Sequence, residues 1–194
     1  MGVGRIIADR SSITTRSRLD VSPDCHGTED DAGTLGNVRD KEDPNRMADS
    51  WIVGLDGESG LASIQDPGVR GEWYGVMDYK KGLFAAHLLN KKACVLVRMV
   101  EAAFPSLEAL SHILSGKPPE PRPPRRRLIY AVLSPRIKNV AQFGRPIDEL
   151  CRGVPTYFAQ KVAGASGEMD SKPCFEARIL CNLVLSFCGE ITGL

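Results

Sequence analysis

The run Glu72-Trp73-Tyr74-Gly75-Val76-Met77-Asp78-Tyr79-Lys80-Lys81-Gly82-Leu83-Phe84-Ala85-Ala86-His87-Leu88-Leu89-Asn90-Lys91-Lys92-Ala93-Cys94-Val95-Leu96-Val97-Arg98-Met99-Val100 decides the fold. It reads as three strands and two reversals. Glu72 to Tyr79 is the first strand, Lys80-Lys81-Gly82 turns the chain, and Leu83 to Leu89 is the second. Asn90-Lys91-Lys92 turns it again, and Ala93 to Val100 is the most β-prone run of the sequence. Apolar, aromatic and β-branched runs of this length, bounded by short polar turns, predict an antiparallel meander.

Upstream of the meander, Trp51 to Leu55 and Leu61 to Ile64 read as two short strands around the turn Asp56-Gly57-Glu58-Ser59-Gly60, and Asp66-Pro67-Gly68 closes that unit. Downstream, the period changes. Pro105 to Leu114 carries apolar residues at 107, 110, 113 and 114, a helical stripe that starts at Pro105-Ser106 and stops at Gly116. Lys117 to Arg127 holds five prolines and five bases and reads as an extended, solvated linker. Leu128 to Leu133 is a fourth strand. Asn139 to Arg152 is a second helix, with apolar residues at 140, 143, 147, 150 and 151; Gly144 and Pro146 break it near its middle, and Gly153 with Pro155 ends it. A last β-prone segment runs from about Phe175 to Phe187, and there is no internal repeat.

The 194 residues carry 25 Lys and Arg against 24 Asp and Glu, a net charge of +1. That balance argues against a dedicated nucleic-acid binder, which needs a basic surplus to displace phosphate counterions. No apolar run approaches the roughly 18 residues of a membrane span. All 12 aromatic residues lie at or beyond Trp51, whereas residues 1–50 hold ten acids and seven bases. So polar a segment buries too little apolar area to offset its ordering entropy, and it is expected to be a disordered arm. Residues 1–9 contain no apolar core of signal-peptide length, so no signal peptide is read there.

Catalytic motifs fail on inspection. Gly57-Glu58-Ser59-Gly60-Leu61 resembles a nucleophile elbow but has Leu61 in place of the second glycine, and reads as a hairpin turn. Gly2-Val3-Gly4 follows no strand and opens no helix. His26, His87 and His112 have no metal-ligand spacing, there is no Cys-x-x-Cys, and Cys25-His26 sits in the polar arm. No nucleophile, base and orienter form a trio, so no enzyme activity, cofactor or metal is expected. Arg122-Pro123-Pro124-Arg125-Arg126-Arg127 suits a polyanion or a basic-specific protease, but reads first as a solvated loop.

Six cysteines allow 15 complete pairings, or none at all if the chain is reduced. Cys94 in a strand and Cys151 near a helix end both sit among apolar neighbours. A bond between them would close a 57-residue loop, a stabilisation of about 4 kcal/mol on chain-entropy arithmetic. Cys174 and Cys188 flank the last β-prone segment, leaving Cys25 and Cys181 over. Asp78 stands in an otherwise apolar strand and shares a face with Tyr74 and Val76. It is either an edge residue facing water or, if that face is buried, a protonation-sensitive structural group whose pKa desolvation raises.

Four blocks in this order resemble the BRICHOS family, and within it the gastrokines: Val76-Met77-Asp78-Tyr79-Lys80-Lys81-Gly82, Lys91-Lys92-Ala93-Cys94, Pro105-Ser106-Leu107-Glu108-Ala109-Leu110, and Cys151-Arg152-Gly153-Val154-Pro155-Thr156-Tyr157. The tail Ser186-Phe187-Cys188-Gly189-Glu190 and the 14-residue gap from Cys174 to Cys188 are also similar to the gastrokines. The resemblance implies an α+β fold, a five-stranded antiparallel sheet flanked by two helices, one on each face. It matches Asp78, Cys94 and Cys151 to the family's signature Asp and disulfide pair, with Cys174 and Cys188 as a second bridge. The organisation expected is a disordered arm over 1–50, short strands and a linker over 51–69, a BRICHOS-like domain over 70–165, and a C-terminal β segment over 166–194 packing on it. The activity implied is chaperone-like, anti-aggregation binding of β-prone or amyloidogenic segments by a secreted protein of mucosal maintenance. The alternative is an extracellular growth-regulating signal acting through a cell-surface receptor. A homo-oligomer is a further expected partner; nucleic acid and a membrane span are not.

Overall fold

In the computed structural model, residues 15–20, 50–66, 73–117, 124–163, 173–180 and 182–189 are described. They carry ten strands: β1 Thr15–Asp20, β2 Ser50–Asp56, β3 Leu61–Asp66, β4 Trp73–Asp78, β5 Leu83–Leu88, β6 Ala93–Arg98, β7 Arg126–Val132, β8 Thr156–Lys161, β9 Cys174–Ile179 and β10 Leu183–Cys188. Two α-helices join them, α1 Leu107–Leu114 and α2 Arg145–Leu150, the second preceded by a 3-10 turn over Val140–Phe143.

The strands form one mixed sheet in the order β1-β2-β3-β4-β5-β6-β8-β7-β10-β9. The expected meander is its centre: β4, β5 and β6 pair antiparallel, with Asp78 opposite Leu83 and His87 opposite Cys94. The expectation of a five-stranded antiparallel sheet is corrected on two counts. The sheet has ten strands, because the β2–β3 and β9–β10 hairpins extend it beyond the centre, and two pairings, β6 with β8 and β7 with β10, are parallel. The β6–β8 pairing is parallel because α1, β7 and α2 intervene, a crossover long enough to return the chain in the same direction. β8 follows the Gly153–Pro155 break and is a strand beyond those the sequence pattern predicts. Within residues 1–50, Thr15–Asp20 form β1, antiparallel to β2. A polar segment can do this because ladder pairing uses backbone groups only. The basic linker also ends sooner than expected, since Arg126 and Arg127 already belong to β7.

Burial explains why the central strands read as near-continuous apolar runs. Phe84, Ala86, Leu88, Val95 and Val97 pack into one cluster together with Leu110 of α1. Their alternating neighbours Leu83, Ala85, Cys94 and Leu96 pack into a second, with Ile147 and Leu150 of α2. Strand side chains alternate between faces, so the two clusters lie on opposite faces of the sheet. A strand covered on both sides has no polar face to show. Gly75 is required by this packing, since a Cβ there would stand 2.7 Å from the rings of both Trp73 and Phe84.

Candidate functional site

The reversal between β4 and β5 gathers three side-chain hydrogen bonds that tie distant elements together. Asp78, at the end of β4, is only 5% exposed. Its Oδ1 accepts the backbone N–H of Lys81 at 3.1 Å, which closes the turn, and its Oδ2 lies 3.4 Å from the Lys81 ammonium. Asp56 does the same for the β2–β3 turn, accepting from the backbone N–H and the hydroxyl of Ser59. Those two hydrogen bonds hold the Asp56 carboxyl below its usual range. Ser59 is thereby a turn residue, and Gly57 to Leu61 form a hairpin.

Three successive side chains of the β4–β5 turn then reach three separate carbonyls. Tyr79 donates to Pro105 at 2.6 Å, just before the Ser106 cap of α1. Lys80 donates to Glu58 at 2.7 Å, in the neighbouring turn. Lys81 donates to Phe143 at 2.7 Å, just before the Gly144 cap of α2. Burial pushes the Tyr79 hydroxyl well above its ordinary value, so it stays a donor. Gly144 is needed where it stands: its φ is +106°, and a Cβ would run into the Lys81 ammonium. One turn thus pins the entry points of both helices, on opposite faces. By residue type alone, Asp78 stands out, Tyr79 reads as the last residue of a strand, and Lys80 and Lys81 read as turn residues. The signal that this reading passes over is a run of long hydrogen-bonding side chains beside a buried acid.

The far end of α2 is held covalently. Cys151 caps the helix and is bonded to Cys94 of β6, with Cα atoms 5.5 Å apart. Cys174 and Cys188 are bonded across the β9–β10 pair, where they stand directly opposite, with Cα atoms 4.0 Å apart. Cys25 and Cys181 lie outside the described residues. His87, the cross-strand neighbour of Cys94, is half-buried beneath the last turn of α2. Its Nδ1 is enclosed with no hydrogen-bond partner among the described residues. Burial lowers its pKa, against a weaker upward pull from the Leu150 backbone.

The remaining candidates are dispersed. His112 lies on α1, 3.8 Å from Glu108. Arg126 donates to the Ala102 carbonyl at 2.7 Å, and Arg127 pairs with Glu176 at 2.6 Å, so half of the basic motif's arginines are already engaged in the fold. Residues 118–123, which hold the linker's other prolines and Arg122, lie outside the described set. Among the described residues no three His, Cys, Asp or Glu side chains form a metal-ligand group, and no helix is long and apolar enough to cross a membrane.

Comparison with known proteins places this arrangement. The BRICHOS domain family matches residues 69–158, which run from β4 into the first half of β8 and include the turn, both helices and the Cys94–Cys151 bond. The chain is 46% identical to mouse Gastrokine-3 over 161 residues, covering 82% of this chain and 84% of that protein. It is 43% identical to human Gastrokine-3, covering 74% and 80%, and 36% identical to mouse Gastrokine-1, covering 71% and 76%. No solved structure matches it significantly.

Proposed function

From the premise that this chain belongs to the gastrokine family of BRICHOS-domain proteins, we propose that it is a secreted, non-enzymatic protein that binds β-prone segments and keeps them from aggregating, as part of mucosal maintenance. Two disulfides suit an oxidising compartment. The observation that carries the reading is how lightly the apolar sheet is covered. α1 has eight residues, of which Leu110 alone is fully buried. Leu107, Ile113 and Leu114 are only partly buried against the same cluster, and a helix of that length has little stability of its own. Its displacement would open the apolar cluster it packs against, to which Val53 and Leu55 of β2 and Phe84, Val95 and Val97 of the central strands all belong. Asp78 has a structural part in this: its carboxylate forms the ion pair that steadies Lys81 and closes the turn.

The test uses the full chain at substoichiometric ratio against an unrelated amyloid-forming peptide, with thioflavin fluorescence as the readout. The expected result is a lengthened lag and fewer fibrils. Unchanged growth kinetics at equimolar protein would overturn the reading.

A further inference from the structure

The ten-stranded sheet has an internal gap. β6 and β8 pair only from Cys94 opposite Thr156 to Leu96 opposite Phe158, although β6 runs on to Arg98 and β8 to Lys161. Each strand keeps its other partner over this stretch. The Met99 N–H donates to Gly82 at 2.8 Å on the β5 side, and Lys161 stands opposite Tyr130 of β7. The two inner edges therefore part, leaving a groove of about 250 Å³. Met99, Tyr130 and Phe158 line it with apolar surface, Arg98 and Lys161 are exposed in its wall, and no acid lines it. Neither base has a carboxylate within ion-pair distance among the described residues. The Tyr130 hydroxyl spans the opening and donates to the Arg98 carbonyl at a long 3.4 Å.

We propose that this splay is a strand-acceptor slot, and that its occupant is an extended, apolar segment of another polypeptide carrying one or more carboxylates. An entering strand finds the Arg98 carbonyl held, among the described residues, by that long hydroxyl bond, and it can take over the bond with a backbone N–H. Alternate side chains then meet the apolar floor, while a carboxylate reaches Arg98 or Lys161. Backbone pairing supplies affinity, and the side-chain contacts supply selection. The outer edge of β9 is less suited, because it exposes Glu176 and Arg178 and Glu176 is already paired with Arg127. Mixed exposed charge of that kind guards an edge. The proposal rests on the strand-binding reading above and gives it a place and a charge preference.

The experiment measures fluorescence anisotropy of two labelled nine-residue probes, one alternating Val with Glu and one alternating Val with Lys, on the full chain. It is repeated on Arg98→Glu/Lys161→Glu and on Lys161→Glu alone, with circular dichroism confirming the fold. The parent should favour the Glu probe by about tenfold or more, the single variant should lose part of that preference, and the double variant should reverse it. Equal binding of both probes by the parent, binding of neither, or a preference unmoved by charge reversal overturns the slot. Running the fibril assay on the same variants separates the two ideas. Reversed probe preference without any fibril delay by the parent upholds the slot and sinks the chaperone reading. Full fibril delay by the double variant with unchanged probe preference does the opposite.

Discussion

Lys81 is 45% exposed along its side chain, yet its ammonium touches the buried Asp78 carboxylate and the Phe143 carbonyl. Lys81→Met keeps the stem and removes both contacts, leaving Asp78 with the backbone N–H of residue 81 as its remaining bond. The expected cost is about 1–3 kcal/mol in urea unfolding. Asp78→Asn, which preserves an acceptor for that N–H, should cost less. Equal losses would mean that the Phe143 bond adds nothing beyond the ion pair. His87 makes a separate prediction. Its folded pKa lies below the ordinary 6.5 because burial disfavours the imidazolium. The unfolded chain therefore binds the proton more tightly. The stabilisation is fully present above pH 6.5 and is lost as pH falls from there through the lowered folded value. Tm should drop over that window in the parent, and His87→Phe should flatten the drop. The same decline in the variant would exclude His87 as its source.

At the level of elements, α2 has only six residues and is secured at both ends, by the Lys81 bond at its entry and by Cys151 at its exit. The two bridges differ in loop length, 57 against 14 residues. Chain entropy then assigns about 4 kcal/mol to Cys94–Cys151 and about 3 kcal/mol to Cys174–Cys188. Replacing the first pair with serine should therefore lower the denaturant midpoint more, and should speed hydrogen exchange within 145–150. Equal midpoints for the two double variants would count against the loop argument. These elements differ in how visible they are from residues alone. The α1 stripe and its Ser106 cap are legible because the cap bond, Ser106 to the Ala109 N–H at 3.1 Å, is local. The break at Gly144 is legible for the same reason. β8 is not, because Thr156 to Lys161 is a strand only through pairing with β6 and β7, contacts far away in sequence.

For the whole molecule, the meander and two-sided burial follow from the composition of residues 73–98, but the size of the sheet does not. A strand such as β1 is too polar to announce itself, and it exists by joining an edge that is already formed. The same limit hides the helix-pinning roles of Tyr79 and Lys81 and the turn-to-turn bond of Lys80. Their residue types say that the chain turns, whereas their targets at 58, 105 and 143 are set by tertiary placement. That convergence has a consequence for how the native state gives way. With the entry anchors of both helices gathered in Tyr79 and Lys81, a protease nick between 79 and 82 would loosen both layers in one event, and the Cys94–Cys151 bond would then be the tether that keeps α2 from leaving the sheet.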